Sequence, residues 1–297
     1  MSHWLRGIQT SAMKIIDTHL HAIAADRGAY PTAPIGGHQS EWSRLRPVDV
    51  VGVLRGMDAA GIAKAVLVQA STVYGHDNRY VADAVRAHPD RFVGVYSIDA
   101  LATDAVKQID RWQAAGLSGF RLFTTGSTMP GQSDWLGHED SFGAWAHAEE
   151  LRIPICLQMT MAGLPTLRRL LERFPKVRVL LDHCARPDLS DGAPYHAAAP
   201  LFEMASFPGV YLKLTNRTLA GAASGKSQPA QFLQKLVAVF GANRIAWGSN
   251  FPAAEGSLPE LLSCAQSGLS LLPPSDQALI FSGTAQIVYP GLAVTPP

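Results

Sequence analysis

The feature that most constrains the fold is an alternation, repeated eight times, of a short apolar run with a helical segment. The runs are continuously apolar, which is typical of parallel strands covered on both faces. Eight strand–helix units in one sheet close most naturally into a barrel, so the sequence predicts an α/β fold, a single-domain (β/α)8 TIM barrel. The predicted strands cover residues 15–21, 65–69, 92–98, 119–123, 153–158, 177–183, 210–214 and 244–250, and the predicted helices cover residues 50–61, 78–88, 103–115, 141–151, 164–174, 200–206, 229–240 and 275–288.

The alternative arrangement is an open, doubly wound sheet. That arrangement is disfavoured because no Gly-x-Gly-x-x-Gly follows the first strand, as a dinucleotide-binding half would require. The length of 297 residues fits one barrel domain. We therefore assign residues 13–297 to the barrel and residues 1–12 to a flexible N-terminal leader.

Composition limits the partners. The chain is 47% hydrophobic and 16% charged, with a net charge of +1, so it has no overall field that would attract nucleic acid or an anionic membrane. Its predicted partner is a small-molecule substrate that carries carboxylates, and self-association into a homo-oligomer is left open. The three cysteines lack Cys-x-x-Cys spacing, and no apolar run approaches a membrane span, so we expect a reduced, cytoplasmic protein.

Two histidines end the first predicted strand. His19 and His21 are two residues apart, and residues i and i+2 of a strand project to the same face. Each histidine alone could be a strand cap or a solvated residue, but the pair favours a site. The loop that follows, residues 22–47, is unusually long for a compact domain, and we expect it to close over the pair.

The carboxyl ends of all strands in a barrel meet on one face, where active sites of this fold lie. Polar side chains at the predicted ends therefore converge, and the loops carrying His38 and His76 could reach them. Histidines among arginines suit a substrate with a carbonyl to polarise and carboxylates to bind. The three histidines could hold a catalytic metal or act without metal as donors to an oxyanion. The strand-end residues are His19, His21, Gln69, Ser71, Arg121, Gln158, His183, Arg186, Thr215, Arg217 and Asn250.

Four segments resemble the amidohydrolase superfamily, in the right order over residues 14–290. They are residues 17–21 (Asp-Thr-His-Leu-His), 68–78, 181–188 (beginning Leu-Asp-His) and 247–252 (Trp-Gly-Ser-Asn-Phe-Pro). Within the superfamily they are most similar to the branch that contains lactonases of 2-pyrone-4,6-dicarboxylate and of sugar acids. Segment 68–78 favours the pyrone-dicarboxylate side.

The resemblance implies a hydrolase that opens a carboxylated lactone, and the pyrone-dicarboxylate lactonases work without a divalent metal. It implies that His19, His21 and His183 polarise the lactone carbonyl, and that Asn250 holds the hydrolytic water. The residues predicted to hold the substrate are Ser71, Tyr74, Arg121, Gln158, Arg186 and Arg217.

Two positions depart from the metal-binding members of the superfamily. The fifth strand offers Gln158 or Met159 where they place a histidine, and the eighth offers Asn250 where they place an aspartate. An amide is neither an anionic metal ligand nor a base near neutral pH. We therefore expect that no cofactor is required, with a single divalent metal ion, zinc or manganese, on His19, His21 and His183 as the alternative.

Two other functions stay open at this point. One is a metal-dependent decarboxylase of an aromatic or unsaturated acid, in which the same three histidines bind one ion. The other is a non-catalytic barrel that lost its base at position 250 and still captures a polycarboxylate.

Overall fold

The computed structural model describes residues 13–124 and 135–294. These residues contain a parallel sheet of eight strands in the order β1 to β8. The predicted leader, residues 1–12, lies outside the described residues. The strands are β1 (Ile15–Leu20), β2 (Ile62–Val68), β3 (Phe92–Ser97), β4 (Gly119–Phe123), β5 (Ile155–Gln158), β6 (Val179–Leu181), β7 (Val210–Thr215) and β8 (Ile245–Gly248).

Backbone hydrogen bonds join the first strand to the chain that follows the last one. The His21 N–H donates to the Phe251 carbonyl over 2.8 Å, and the Asn250 N–H donates to the His19 carbonyl over 2.7 Å. These bonds draw the ends of β1 and β8 together and make the sheet a nearly closed barrel. The predicted single-domain (β/α)8 barrel is confirmed.

Helices cover the outside of the barrel and connect its strands. Within the described residues, no helix is long and apolar enough to cross a membrane. The α-helices are α1 (Glu41–Leu45), α2 (Val50–Ala60), α3 (Ser71–Tyr74), α4 (Arg79–Ala87), α5 (Ala105–Ala114), α6 (Phe142–Leu151), α7 (Leu164–Arg173), α8 (Ala199–Glu203), α9 (Asn216–Ala222), α10 (Pro229–Phe240), α11 (Leu258–Leu269), α12 (Pro274–Ala278) and α13 (Thr284–Val288).

The barrel interior is apolar near the amino ends of the strands. Ile16, Val66 and Val93 form a buried cluster there with the C-terminal residues Tyr289 and Leu292. In β5 and β7 alternate residues face inward, so the inward positions that follow Cys156 and Tyr211 are the polar residues Gln158 and Lys213. The apolar layer thus supports the site from below, and the end of the chain closes the opposite mouth.

The predicted elements differ from the observed ones at several places. Helix α11 was not predicted, although Ser257 and Glu260 form a capping box at its start. The helix predicted over residues 275–288 is divided by a π-helical turn, Leu279–Gly283. Strands β6 and β8 end earlier than predicted, because the chain enters left-handed backbone conformations at His183 and at Asn250.

Candidate active site

A cavity of about 280 Å³ opens at the carboxyl ends of the strands. It contains many of the predicted strand-end residues and also a set contributed by residues 22–47, of which sequence reasoning had named only His38. The predicted residues that line it are His21, Gln69, Ser71, Arg121, Gln158, His183, Arg217 and Asn250; the loop residues are His38, Ser40, Glu41 and Trp42.

His21 is held from two sides. Its Nδ1 lies 2.8 Å from the carbonyl oxygen of Val68, and the Trp42 ring stacks on the imidazole at 5.4 Å between centroids, with 27° between the planes. Burial, followed by the positive charge of Arg121, lowers the pKa of His21 to about 3. The ring is therefore neutral near pH 7, and loop 22–47 covers it as the sequence predicts.

His19 is fully buried and is not among the residues that line the cavity. Its ring centroid lies 5.0 Å from that of His21 and 5.1 Å from that of His183. Its Nε2 has no hydrogen-bond partner among the described residues. An unsatisfied buried polar atom is costly, so this nitrogen is suited to a group that binds between the three rings.

A charged cluster lies beside His19, and we call His19, Asp182 and Lys213 the floor of the site. Asp182 accepts a hydrogen bond from Arg121 Nε over 2.7 Å, and Lys213 Nζ lies 3.2 Å from its other oxygen. Burial alone would raise the pKa of Asp182, but the charges of Lys213 and Arg121 hold it well below its usual range. The carboxylate is therefore ionised, and two positive charges lie beside its negative charge.

Sequence reasoning missed Asp182 and Lys213 as site residues. A signal was available for Lys213, since it interrupts the apolar run of β7 at a position with no exposed surface. A lysine is almost never fully buried without a partner. Asp182 had no comparable signal, because its partners come from β4, β7 and β1.

His183 stands on a strained turn. It begins four successive residues with positive φ, from 52° to 54°, that end at Arg186, and none of the four is glycine. Left-handed conformations cost about 1 kcal/mol or more per residue and cluster at functional sites. The turn aims the His183 ring into the cavity, with its Nδ1 2.8 Å from Thr215 Oγ1. Burial and the nearby arginines lower its pKa to about 3 against the opposing effect of Asp182.

Asn250 lies at the end of β8 with a φ of 60°. Its main chain is tied on both sides, to the His19 carbonyl and to the Ala254 N–H, which leaves its side chain on the cavity. Ser71 also faces the cavity, and its Oγ has no hydrogen-bond partner among the described residues. Both side chains are free to bind water or substrate.

A second cavity of about 180 Å³ adjoins the first. Both cavities are lined by His183 and Arg217, and the second is also lined by Arg186. The Nε and Nη2 atoms of Arg186 have no hydrogen-bond partner among the described residues. Burial, followed by the charge of Arg217, lowers the pKa of Arg186 to about 10. We call Ser71, Arg186 and Arg217 the wall of the site.

Three further predicted residues have hydrogen-bond partners within the protein. Tyr74 accepts a hydrogen bond from the Ala24 N–H over 2.8 Å and is not among the lining residues of either cavity. His76 binds Ser97 Oγ through Nδ1 over 2.9 Å. Gln158 faces the cavity and accepts a hydrogen bond from Arg121 Nη2 over 3.2 Å, so it orients that guanidinium.

The donor set around the three imidazoles does not fit a metal centre. Across residues 13–124 and 135–294, no group of three or more His, Cys, Asp and Glu side chains is arranged to hold a metal ion. Asn250 supplies an amide, which adds no anionic ligand to the three imidazoles. Lys213 and Arg121 already place two positive charges beside His19, and a divalent cation would meet their repulsion.

The geometry agrees with the comparisons to known proteins. The chain belongs to the amidohydrolase family, whose model matches residues 16–291. The resemblance found in the sequence and the prediction of a hydrolase are thereby confirmed.

The individual proteins that are similar to this chain share only 19 to 26% of aligned residues with it. The chain is 26% identical over 286 residues to an L-fucono-1,5-lactonase of Burkholderia ambifaria, with 92% of this chain and 94% of the relative covered. A Pseudomonas putida protein assigned as a 2-pyrone-4,6-dicarboxylic acid hydrolase has a similar structure, with a TM-score of 0.75, 23% identity and coverage of 95% and 99% of the two chains. A Burkholderia multivorans amidohydrolase with bound zinc has a TM-score of 0.74, 19% identity and coverage of 93% and 99%.

Proposed function

We propose that this protein hydrolyses a lactone that carries carboxylates, most simply two, without a metal ion. One observation carries the proposal: a neutral imidazole, His21, shares a cavity with the guanidinium groups of Arg121 and Arg217. A guanidinium presents a fork that matches a carboxylate. The similarity to an L-fucono-1,5-lactonase supports ring opening of a cyclic ester.

The arginines in the two cavities favour a dicarboxylate. Arg121 lines the first cavity and Arg186 the second, while Arg217 and His183 line both. Arg121 already pairs with Asp182, but Arg186 and Arg217 form no ion pair with the described residues, and a single carboxylate would leave one of these two without an anion. A lactone with two carboxylates can meet both, and Ser71 and Gln158 are placed to complete its hydrogen bonds.

The chemical step begins with a water held by the Asn250 amide. His21 takes a proton from this water as the oxygen attacks the lactone carbonyl, which becomes a tetrahedral oxyanion. The ring C–O bond then breaks, and the same proton passes from His21 to the departing ring oxygen. One water is consumed, and the product is the ring-opened acid.

The low pKa of His21 is compatible with this role in the complex. Burial and the charge of Arg121 keep that pKa at about 3 in the free protein. A substrate carboxylate bound to Arg121 compensates part of this charge, so the pKa of His21 rises when substrate binds. The same argument applies to His183, whose pKa is lowered by burial and, to a smaller extent, by three arginines.

A panel of lactones tests the proposal. Protein dialysed against a chelator is assayed with 2-pyrone-4,6-dicarboxylate, muconolactone, L-fucono-1,5-lactone and an uncharged δ-lactone. We expect turnover of carboxylated lactones, with the dicarboxylate preferred, and full activity after removal of metal. In Arg217→Gln, loss of a charged hydrogen bond of about 1.5–3 kcal/mol lowers kcat/KM for the dicarboxylate roughly 10- to 150-fold.

Other outcomes identify the other functions. Preference for the uncharged lactones would contradict the role of the arginines. Release of carbon dioxide from an aromatic acid by metal-loaded protein would indicate a decarboxylase. Tight binding of the dicarboxylate without any turnover would indicate a binding protein.

A further inference from the structure

Two charged groups approach the same nitrogen of His19. Lys213 Nζ forms a hydrogen bond with His19 Nδ1 at 3.4 Å. Asp182 Oδ1 lies 3.5 Å from the same nitrogen and 3.2 Å from Lys213 Nζ. None of the three side chains has exposed surface, so no solvent competes with them.

The approach of Lys213 favours one position of the imidazole proton over the other. An ammonium group has donors only, so the ring nitrogen that faces it must accept. Burial holds the pKa of His19 well below its usual range against the opposing charge of Asp182, with Lys213 as a further lowering cause, and the ring is neutral. A neutral imidazole carries one proton, which is then on Nε2.

His21, on the same strand, has the opposite arrangement. Its Nδ1 faces the carbonyl oxygen of Val68 at 2.8 Å, and a carbonyl oxygen only accepts. The proton of His21 is therefore on Nδ1, and its Nε2 keeps a lone pair. Two histidines separated by one residue thus differ in tautomer because their Nδ1 partners differ.

We propose that Lys213 is a positioning residue that holds His19 in the Nε2–H form, so that His19 offers a hydrogen-bond donor and His21 a lone pair. This inference rests on the proposed function for the catalytic step in which His19 acts. In that step His19 Nε2–H donates to the lactone carbonyl oxygen as negative charge develops there, while His21 accepts the proton of water. The Nε2 of His19 has no partner among the described residues, and because it has no exposed surface, bound substrate reaches it only if neighbouring side chains move.

The same tautomer explains why His19 is a poor metal ligand. A metal ion binds the lone pair of an imidazole nitrogen, and a protonated Nε2 has none. Lys213→Met removes the donor on Nδ1. The His19 proton is then expected to move to Nδ1 and donate to Asp182 Oδ1, which frees Nε2 to bind a metal.

The first test uses the unmodified protein. Histidine labelled with ¹⁵N in the full-length, metal-free chain gives long-range ¹H–¹⁵N correlations that distinguish the two neutral tautomers of each ring. We expect the Nε2–H pattern for His19 and the Nδ1–H pattern for His21. An Nδ1–H pattern for His19, with Asp182 as its acceptor, would refute the proposal.

The second test changes the donor. In Lys213→Met, we expect His19 to show the Nδ1–H pattern and zinc to bind at least about tenfold more tightly, a typical size for a change in a ligand's hydrogen-bond partner. Lys213→Arg keeps a donor and is expected to keep the wild-type pattern, and Lys107→Met, on the exposed side of α5, serves as the matched control. An unchanged His19 pattern in Lys213→Met would overturn the proposal.

These measurements are independent of lactone turnover. If Lys213→Met does not fold, the spectra of the wild type and of Lys213→Arg still decide the tautomer. A protein with Nε2–H on His19 that hydrolyses no lactone would leave this inference standing and refute the proposed function. Lactone turnover with the other tautomer would do the reverse.

Discussion

The floor and the wall of the site differ in how their charges are compensated. In the floor, Asp182 meets two cations within 3.2 Å and has no exposed surface. In the wall, two guanidinium nitrogens of Arg186 and the hydroxyl of Ser71 have no hydrogen-bond partner in the part of the chain that the structure describes. Unsatisfied polar groups cost stability unless a ligand completes them. We infer that the floor orients catalytic groups, whereas the wall is left incomplete for the substrate.

The largest expected effect comes from breaking the floor. Asp182→Asn leaves Lys213 and Arg121 buried without a counter-charge, and removal of one partner from a buried ion pair costs about 3–5 kcal/mol of folding stability. The free energy of unfolding measured in urea should fall by that amount. Asp90→Asn, an exposed position on the amino side of β3, should change it by less than about 0.5 kcal/mol. Equal effects of the two variants would contradict the special role of the floor.

Removing His21, the proposed proton acceptor, should lower the catalytic rate more than the folding stability. In His21→Gln, we expect kcat to fall by about 10²–10⁴-fold, the usual contribution of a general base. The glutamine amide can still donate to the Val68 carbonyl, so the fold should be retained. His196→Gln, at an exposed position, is the control and should keep its activity. A His21→Gln protein with near-normal kcat would show that another group takes the proton.

Removing a cation from the wall should weaken substrate binding without lowering folding stability. In Arg186→Gln, we expect KM for a dicarboxylate lactone to rise by roughly 10- to 150-fold, from the loss of about 1.5–3 kcal/mol of charged hydrogen bonding. Stability should stay level or increase, because Arg186 lacks protein partners in the described structure. Arg55→Gln, an exposed residue of α2, is the control. A stability loss as large as that of Asp182→Asn would remove the distinction between wall and floor.

The smallest expected effect concerns Asp17, whose Oδ1 accepts hydrogen bonds from the His19 and Ser249 N–H groups. Burial raises the pKa of Asp17 from 3.8 to about 6. Between about pH 4 and 6 the folded state thus binds the Asp17 proton more tightly than the unfolded state, and this group's stabilising effect is lost as pH rises. For His21 and His183, with pKa values of about 3, the sign is reversed, and stability falls as pH drops below about 6.5.

Of these three groups, only Asp17 stabilises the folded state more at low pH than at neutral pH. The Asp17→Asn variant lacks this contribution. The free energy of unfolding of the variant should therefore rise more steeply with pH between about 4 and 6 than that of the wild type, by up to about 1.4 kcal/mol per pH unit. Urea titrations at several pH values measure this slope. A slope that does not change would mean that Asp17 is ionised throughout this range.

The barrel and much of the main cavity could be predicted because both follow from local patterns. Continuous apolar runs locate the strands, and a parallel barrel places their carboxyl ends together. His21, Arg121 and Asn250 are found in this way, since each lies within two residues of a strand end. His183 was predicted as the last residue of the sixth strand, and the observed strand ends two residues before it, at Leu181.

The rest depended on tertiary geometry. Lys213 and His19 are 194 positions apart, and no local pattern pairs them. Trp42 reaches His21 from a loop whose path no periodicity determines. Tyr74 is close in sequence to Ser71, but the short helix α3 turns its hydroxyl toward the Ala24 backbone. The function of Tyr74 in substrate binding stays a prediction.

A crystal structure of His21→Gln with 2-pyrone-4,6-dicarboxylate tests the central claim most directly, because the variant should bind this lactone and turn it over very slowly. The account predicts one carboxylate on Arg121, the other on Arg186 or Arg217, and the ring carbonyl oxygen within hydrogen-bond distance of His19 Nε2. A lactone bound with its carboxylates away from these guanidinium groups and its carbonyl away from the floor would contradict it.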